Sequence, residues 1–126
     1  MYGLSNHLLD TAWPKVSSAK RGLESLLAAP GSELVAELLG LLSDRTRPAD
    51  DLLPSTGVGL EWERLLSSAV ITAPEYGTRS STVLLVTRDG GVVFVEQTFS
   101  PGGIPGGLAH FEFQLDRPTG DEGVPP

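Results

Sequence analysis

The side chains best suited to chemistry gather in three places. The first is Tyr2-Gly-Leu-Ser-Asn-His-Leu-Leu-Asp-Thr-Ala-Trp-Pro-Lys-Val16, which sets Ser5, Asn6, His7, Asp10 and Trp13 ahead of Pro14, whose fixed φ suits the first turn of a helix. A set of this kind belongs at a site, yet here it follows directly on Met1. Asn6 is a turn or cap former of the sort that precedes helices, and Asp10 reads as a helix-entry or turn residue rather than a general acid. The second place is Glu61 to Arg64. Arg64 either pairs with Glu61 or Asp51 at the surface, which contributes only about 0.2–1 kcal/mol, or serves a site. The third runs from Tyr76 to Thr82. There Arg79, among Thr78, Ser80 and Ser81, either grips a carboxylate or phosphate with its forked guanidinium or lies buried and satisfies loop carbonyls.

Several chemistries are excluded or weakened by what the chain lacks. It has no cysteine, so its own residues build no disulfide, thiolate zinc site or cysteine nucleophile. His7 and His110 stand far apart with no spacing that pairs them, which leaves a metal site little support. Ser67, Ser68, Ser80 and Ser81 are available hydroxyls, but none sits in a Gly-x-Ser-x-Gly elbow. Trp13 and Trp62 read as core or groove wall. Sixteen acidic against nine basic residues give a net charge of −7, which repels phosphate backbones; Arg45, Arg47 and Lys20-Arg21 are too scattered to offset it, so nucleic acid is not expected as a partner. No apolar run approaches the about 20 residues of a transmembrane helix, and Asn6, His7 and Asp10 interrupt the place where a signal peptide would be apolar. The chain reads as cytoplasmic.

The elements that must position these residues follow from periodicity. At 126 residues there is room for one domain with a modest core. Val16, Ala19, Leu23, Leu26 and Leu27 recur at helical spacing, predicting a helix from Pro14 to Ala29 that Pro30-Gly31 stops. Ser32 is placed to cap a second helix with Glu33 in its first turn, and its leucines cover most of its girth, so it should pack on more than one side of an antiparallel pair. Ser43 to Gly59 reads as loop, Leu60 to Ser67 as a short helix with Glu61, Glu63 and Arg64 on one side and Leu65 and Leu66 on the other. Ala69 to Thr72 suggests a short strand ended before Pro74. Alternation predicts strands over Ser80 to Arg88 and Val92 to Phe99, joined by a type I′ turn at Asp89-Gly90. Ser100 to Gly107 reads as a flexible connector, His110 to Leu115 as another strand, and 117–126 as a disordered tail. The fold class is α+β, helices on an antiparallel sheet, over residues 1–116.

Three segments together resemble the NRDE family, also called the transport and Golgi organisation protein 2 family. They are Tyr2 to Val16; Leu53-Pro-Ser-Thr-Gly-Val58 with Glu63-Arg-Leu-Leu-Ser-Ser68; and Tyr76-Gly-Thr-Arg-Ser-Ser-Thr-Val83 leading into Val95-Glu-Gln-Thr-Phe99. Ala12 stands where the family usually has proline, and Gln97 where a basic residue is common. The resemblance implies a layered sandwich like that of N-terminal-nucleophile hydrolases, of which this chain is the C-terminal half. The family's opening cysteine and Asn-Arg-Asp-Glu motif would lie in the other half. Two functional readings are implied. In one, the family protein binds or traffics haem or a lipid-derived, small hydrophobic ligand, with His7 and Tyr76 as axial candidates for haem and Arg79, Ser80 and Ser81 beside the ligand. In the other it is an amide or ester hydrolase. A more distant similarity to bile-salt hydrolases and penicillin acylases would then make Asn6 an oxyanion donor and Arg64 a neighbour of the nucleophile, where a guanidinium would lower a thiol's pKa. On either reading the partner is the other half of the domain, or a second copy meeting the open sheet.

Overall fold

The computed structural model describes residues 1–116; the expected tail at 117–126 lies outside the described residues. Helix α1 spans Pro14–Ala28, α2 Leu34–Leu42 and α3 Leu60–Leu66, followed by strands β1 Ser80–Val86, β2 Gly91–Ser100 and β3 Ile104–Gln114. A single 3-10 turn, Asp50–Leu52, interrupts the long loop before α3. The strands form one antiparallel sheet in the order β1-β2-β3. The α+β expectation holds.

Pro14 opens α1 as its φ dictates, and Trp13 occupies the N-cap without a side-chain cap. The helix ends at Ala28 because Pro30 pushes Ala29 out of helical geometry, to φ −145°. Ser32 does not cap α2. Glu33 takes that position, and Glu37, whose carboxylate lies against Gly31, is the acidic residue of the first turn. Helix α2 packs on both α1 and β1, as its apolar girth requires, and buries Leu38. Where it meets α1, Leu41 sits over Gly22, with no room for a Cβ.

Three local expectations are corrected. Ala69 to Thr72 forms no strand; its contribution is one bridge, Thr72 to Gly77, because Ser68 turns the chain by donating from Oγ to the Val70 carbonyl at 2.7 Å. The β1–β2 turn is not type I′: of Asp89 and Gly90 only Gly90 has positive φ, at 93°. Gly90 N–H donates to the Thr87 carbonyl and Thr87 N–H to the Gly91 carbonyl, a three-residue turn with glycine at its left-handed position. Finally, Ser100 to Gly107 is no loose connector. Pro101 and Gly102 make a tight turn closed by Gly103 N–H on the Ser100 carbonyl at 3.0 Å, with Gly102 at φ 77° as a type II turn needs. Ile104 to Gly107 already belong to β3, where Pro105 is tolerated because β3 lies at the sheet edge. A bulge at Thr98 and the Gln97 amide, donating to the carbonyls of Gly106 and Gly107, complete that end.

The core comprises Val16, Leu38, Val70, Val83, Val92, Val95 and Phe99. It is small, and the pairing register explains where it stops. Ser81, Val83 and Leu85 of β1 share a face with Val95 and Val93, against which α2 packs. The opposite face carries Leu84, Phe94 and Phe111 in one cross-strand row and Val86, Val92 and Phe113 in the next. Phe94 and Phe111 meet at a tilt with ring centres 6.3 Å apart, but Leu84, Val86, Phe111 and Phe113 are each more than half exposed. On this face only the central strand is shielded, Val92 fully and Phe94 in part; the outer residues are open to solvent.

Candidate functional site

A cleft of about 440 Å³ opens between the start of α1, the loop before α3, α3 itself and the Ile71–Thr78 segment. Trp13, Pro48, Pro54, Val58 and Ile71 supply apolar wall; Asn6, Lys15, Glu63, Ser67, Tyr76 and Thr78 bring polar atoms to it. Each local fold explains a placement. Pro14 at the first position of α1 puts Trp13 at the helix entrance and Lys15 in the first turn, where its Nζ reaches across to donate to the Leu66 carbonyl at 2.8 Å. Burial pulls the Lys15 ammonium below its ordinary pKa. On α3, Glu63 points inward and is 6% exposed, contrary to the expectation that it shares a solvent face with Glu61 and Arg64. The reason is Thr56: its N–H and hydroxyl both donate to Glu63 Oε1, at 2.6 and 2.7 Å, so the preceding loop folds over the carboxylate.

The residues singled out in the sequence scatter around this cleft. Asn6 lines it, caps no helix, and its amide makes no hydrogen bond among the described residues. His7 is outside the lining, tilted on Trp13 at 5.5 Å with Nδ1 2.9 Å from Thr11 Oγ1. Tyr76 lines the cleft and meets Trp62 edge-on at 5.8 Å. Trp13 is groove wall, as expected. Arg64 does not line the cleft. It grips Asp50, not Asp51, through Nε at 2.9 Å and Nη2 at 2.6 Å, and also pairs with Glu61. Asp50 raises the Arg64 pKa and is itself held below the usual carboxylate range. Arg79 is exposed rather than buried, and its guanidinium has no partner among the described residues. Ser80 is exposed and Ser81 buried on the sheet face that turns toward α2. Ser67 donates to the Arg64 carbonyl at 2.7 Å. Lys15 and Glu63 are the charged wall residues that sequence reasoning passed over. Pro14 was a signal for the first, since it fixes the turn that carries Lys15; none existed for the second.

Asp10 is the turn residue foreseen. At φ 58°, a left-handed conformation that aspartate tolerates, its Oδ1 accepts from Lys20 Nζ at 2.8 Å and from Gly3 N–H at 2.7 Å. Those bonds, Lys20 first, hold its pKa below the ordinary value. A depressed carboxylate contributes stability above its unfolded pKa and loses it as pH falls through the folded one. Gly3 amide exchange, corrected for its intrinsic rate, should therefore lose protection as the pH drops below about 3.9. Asp10→Asn, which keeps left-handed tolerance but not the charge, should remove that acid step. An unchanged pH profile in Asp10→Asn would show that Asp10 does not close the loop.

With this geometry in view, the chain can be set beside known proteins. A family model described as Transport and Golgi organisation 2 matches residues 1–101. The chain belongs to the Transport and Golgi organisation 2 family. Relatives include the Transport and Golgi organization protein 2 homologs of Bos taurus, 39% identical over 106 residues, and Homo sapiens, 35% identical over 104. The Transport and Golgi organization 2 homolog of Mus musculus is 32% identical over 108 residues. Each match covers 77% of this chain and 38% of the relative. The shared stretch thus makes up well under half the length of these family members. The cleft falls entirely within the family region, as do β1 and β2, whereas β3 lies beyond residue 101.

Proposed function

We propose that this chain carries the binding cleft of a Transport and Golgi organisation 2 family protein, which holds a small hydrophobic ligand and works in ligand trafficking in the cytoplasm. The observation that carries the reading is the cleft: an apolar wall of tryptophan, prolines and aliphatic side chains with a few polar atoms converging on it, the usual make-up of a small-molecule site. No helix among the described residues is long and apolar enough to cross a membrane. Haem is one candidate ligand. Tyr76 would offer a phenolate to the iron from the cleft wall, whereas His7 would have to leave Thr11 and Trp13 to join it.

Trp13 makes the proposal measurable. Titration with haemin, and separately with decanol as a plain apolar probe, is expected to quench tryptophan emission saturably. For decanol, Trp62→Phe should keep the response and Trp13→Phe should lose it. Haem ligation by Tyr76 further requires a Soret shift that Tyr76→Phe abolishes. If neither probe quenches Trp13, the ligand-binding reading fails; if only decanol does, haem is removed from it.

The hydrolase reading has one observation in its favour, the unbonded Asn6 amide in the cleft wall. As an oxyanion donor it would act beside a nucleophile supplied by other parts of the family protein, because this chain has no cysteine. The exposed sheet face would dock against that remainder, with self-association as its substitute in the chain alone.

A further inference from the structure

Two charged groups in the cleft wall are not paired with each other. Lys15 Nζ makes one hydrogen bond, to the Leu66 carbonyl, and has no carboxylate within 4.0 Å among the described residues. Glu63, which lines the cleft, uses Oε1 for both Thr56 donors, while Oε2 has no partner among the described residues and is not fully buried. Both groups are anchored by α3. Leu66, which holds the ammonium, lies one turn after Glu63, a rise of roughly 5 Å along the helix.

A half-buried charge without a counter-ion is costly, and a ligand that supplies the counter-ion recovers that cost on binding. A purely anionic ligand would satisfy Lys15 but face the Glu63 carboxylate; a purely cationic one would satisfy Glu63 but face the ammonium. Only a ligand with both signs meets each wall group with its opposite. The apolar remainder of the wall, Trp13, Pro54, Val58 and Ile71 among it, asks for a hydrocarbon or aromatic body.

We infer that the cleft selects a zwitterionic amphiphile, with an anionic group on Lys15 Nζ, an ammonium or other strong donor on Glu63 Oε2, and an apolar tail along Trp13. The inference rests on the reading of the cleft as a ligand site and adds the head-group chemistry to it. The source of the ligand is a free small molecule of the amino-acid type rather than a membrane surface, since both anchors sit inside a cleft of limited volume.

The test compares three probes with one tail: 2-aminodecanoate, decanoate and decylamine, each titrated against the intact chain by Trp13 quenching near neutral pH. 2-Aminodecanoate is expected to bind at least about tenfold more tightly than either singly charged compound, a factor equivalent to about 1.4 kcal/mol. Lys15→Met should bring its affinity down to that of decylamine. Glu63→Gln, which still accepts from Thr56 through Oε1, should bring it down to that of decanoate. If decanoate or decylamine matches 2-aminodecanoate on the unmodified chain, the inference is overturned while the ligand site stands. If none of the three binds, the inference is likewise overturned, and the haemin and decanol titrations decide whether the ligand site stands. The comparison of probes on the unmodified chain decides the matter even where a variant fails to fold.

Discussion

Gly103→Ala should destabilise the chain by about 2–4 kcal/mol, because two separate penalties fall on one position. Gly103 has φ 70°, in the left-handed region that side chains resist, and a methyl group there would drive into Thr72 Cγ2. Neither neighbour yields easily. Gly103 is buried, its N–H closes the β2–β3 turn on Ser100, and its carbonyl accepts from Arg45 Nη2 at 2.6 Å. This glycine therefore joins three parts of the chain: the turn, the loop after α2 and the Thr72–Gly77 bridge. Gly102→Ala is the control, since Gly102 has φ 77° but open space around it, and should cost only about 1 kcal/mol for its conformation. Urea midpoints of the two variants separate the terms. Equal losses would mean that the Thr72 contact contributes nothing.

The largest effect in solution is expected from the bare sheet face. Leu84, Val86, Phe111 and Phe113 are all more than half exposed on one side of three paired strands. Completing their burial is worth roughly 1 kcal/mol apiece, about half of what full burial of such a side chain brings. Two copies face to face would double that to about 8 kcal/mol gross, from which association subtracts several. The isolated chain should thus elute as concentration-dependent oligomers. Leu84→Lys with Phe111→Glu puts charges on both sides of Phe94 in one row, and should return the chain to a monomer with its far-ultraviolet dichroism unchanged. A sharp, cooperatively unfolding monomer of the unmodified chain at every concentration would contradict a face built to be covered.

Both effects arise from features with different legibility. The alternation of Ser80 to Arg88 and Val92 to Phe99 already shows two strands, and the composition of both faces shows that each carries apolar residues. Pro14 shows where α1 begins. The motif words at Tyr2, Leu53 and Tyr76 carry the family, which the match over residues 1–101 bears out. These are local signals: a proline's φ, a period of two, a run of residue types in order. Each is complete within a few positions, so the chain declares it without being folded.

Partnerships were not declared in that way. Arg64 selects Asp50 over its neighbour Asp51 because the 3-10 turn aims one carboxylate and not the other. Glu63 looks like the solvent-facing companion of Glu61 until the loop at Thr56 folds over it. Arg79 reads as a candidate buried anchor and is exposed. The glycine-rich stretch Ser100 to Gly107 looks flexible by composition, yet Gly103 and Gly106 are small because Thr72 and Thr98 crowd against them. By itself the sequence determined the fold class, the helix entrance at Pro14, the hairpin and the family. Which face of α3 turns inward, and so which charges line the cleft, was decided only by tertiary packing, because that depends on contacts between segments whose separation along the chain carries no periodic trace.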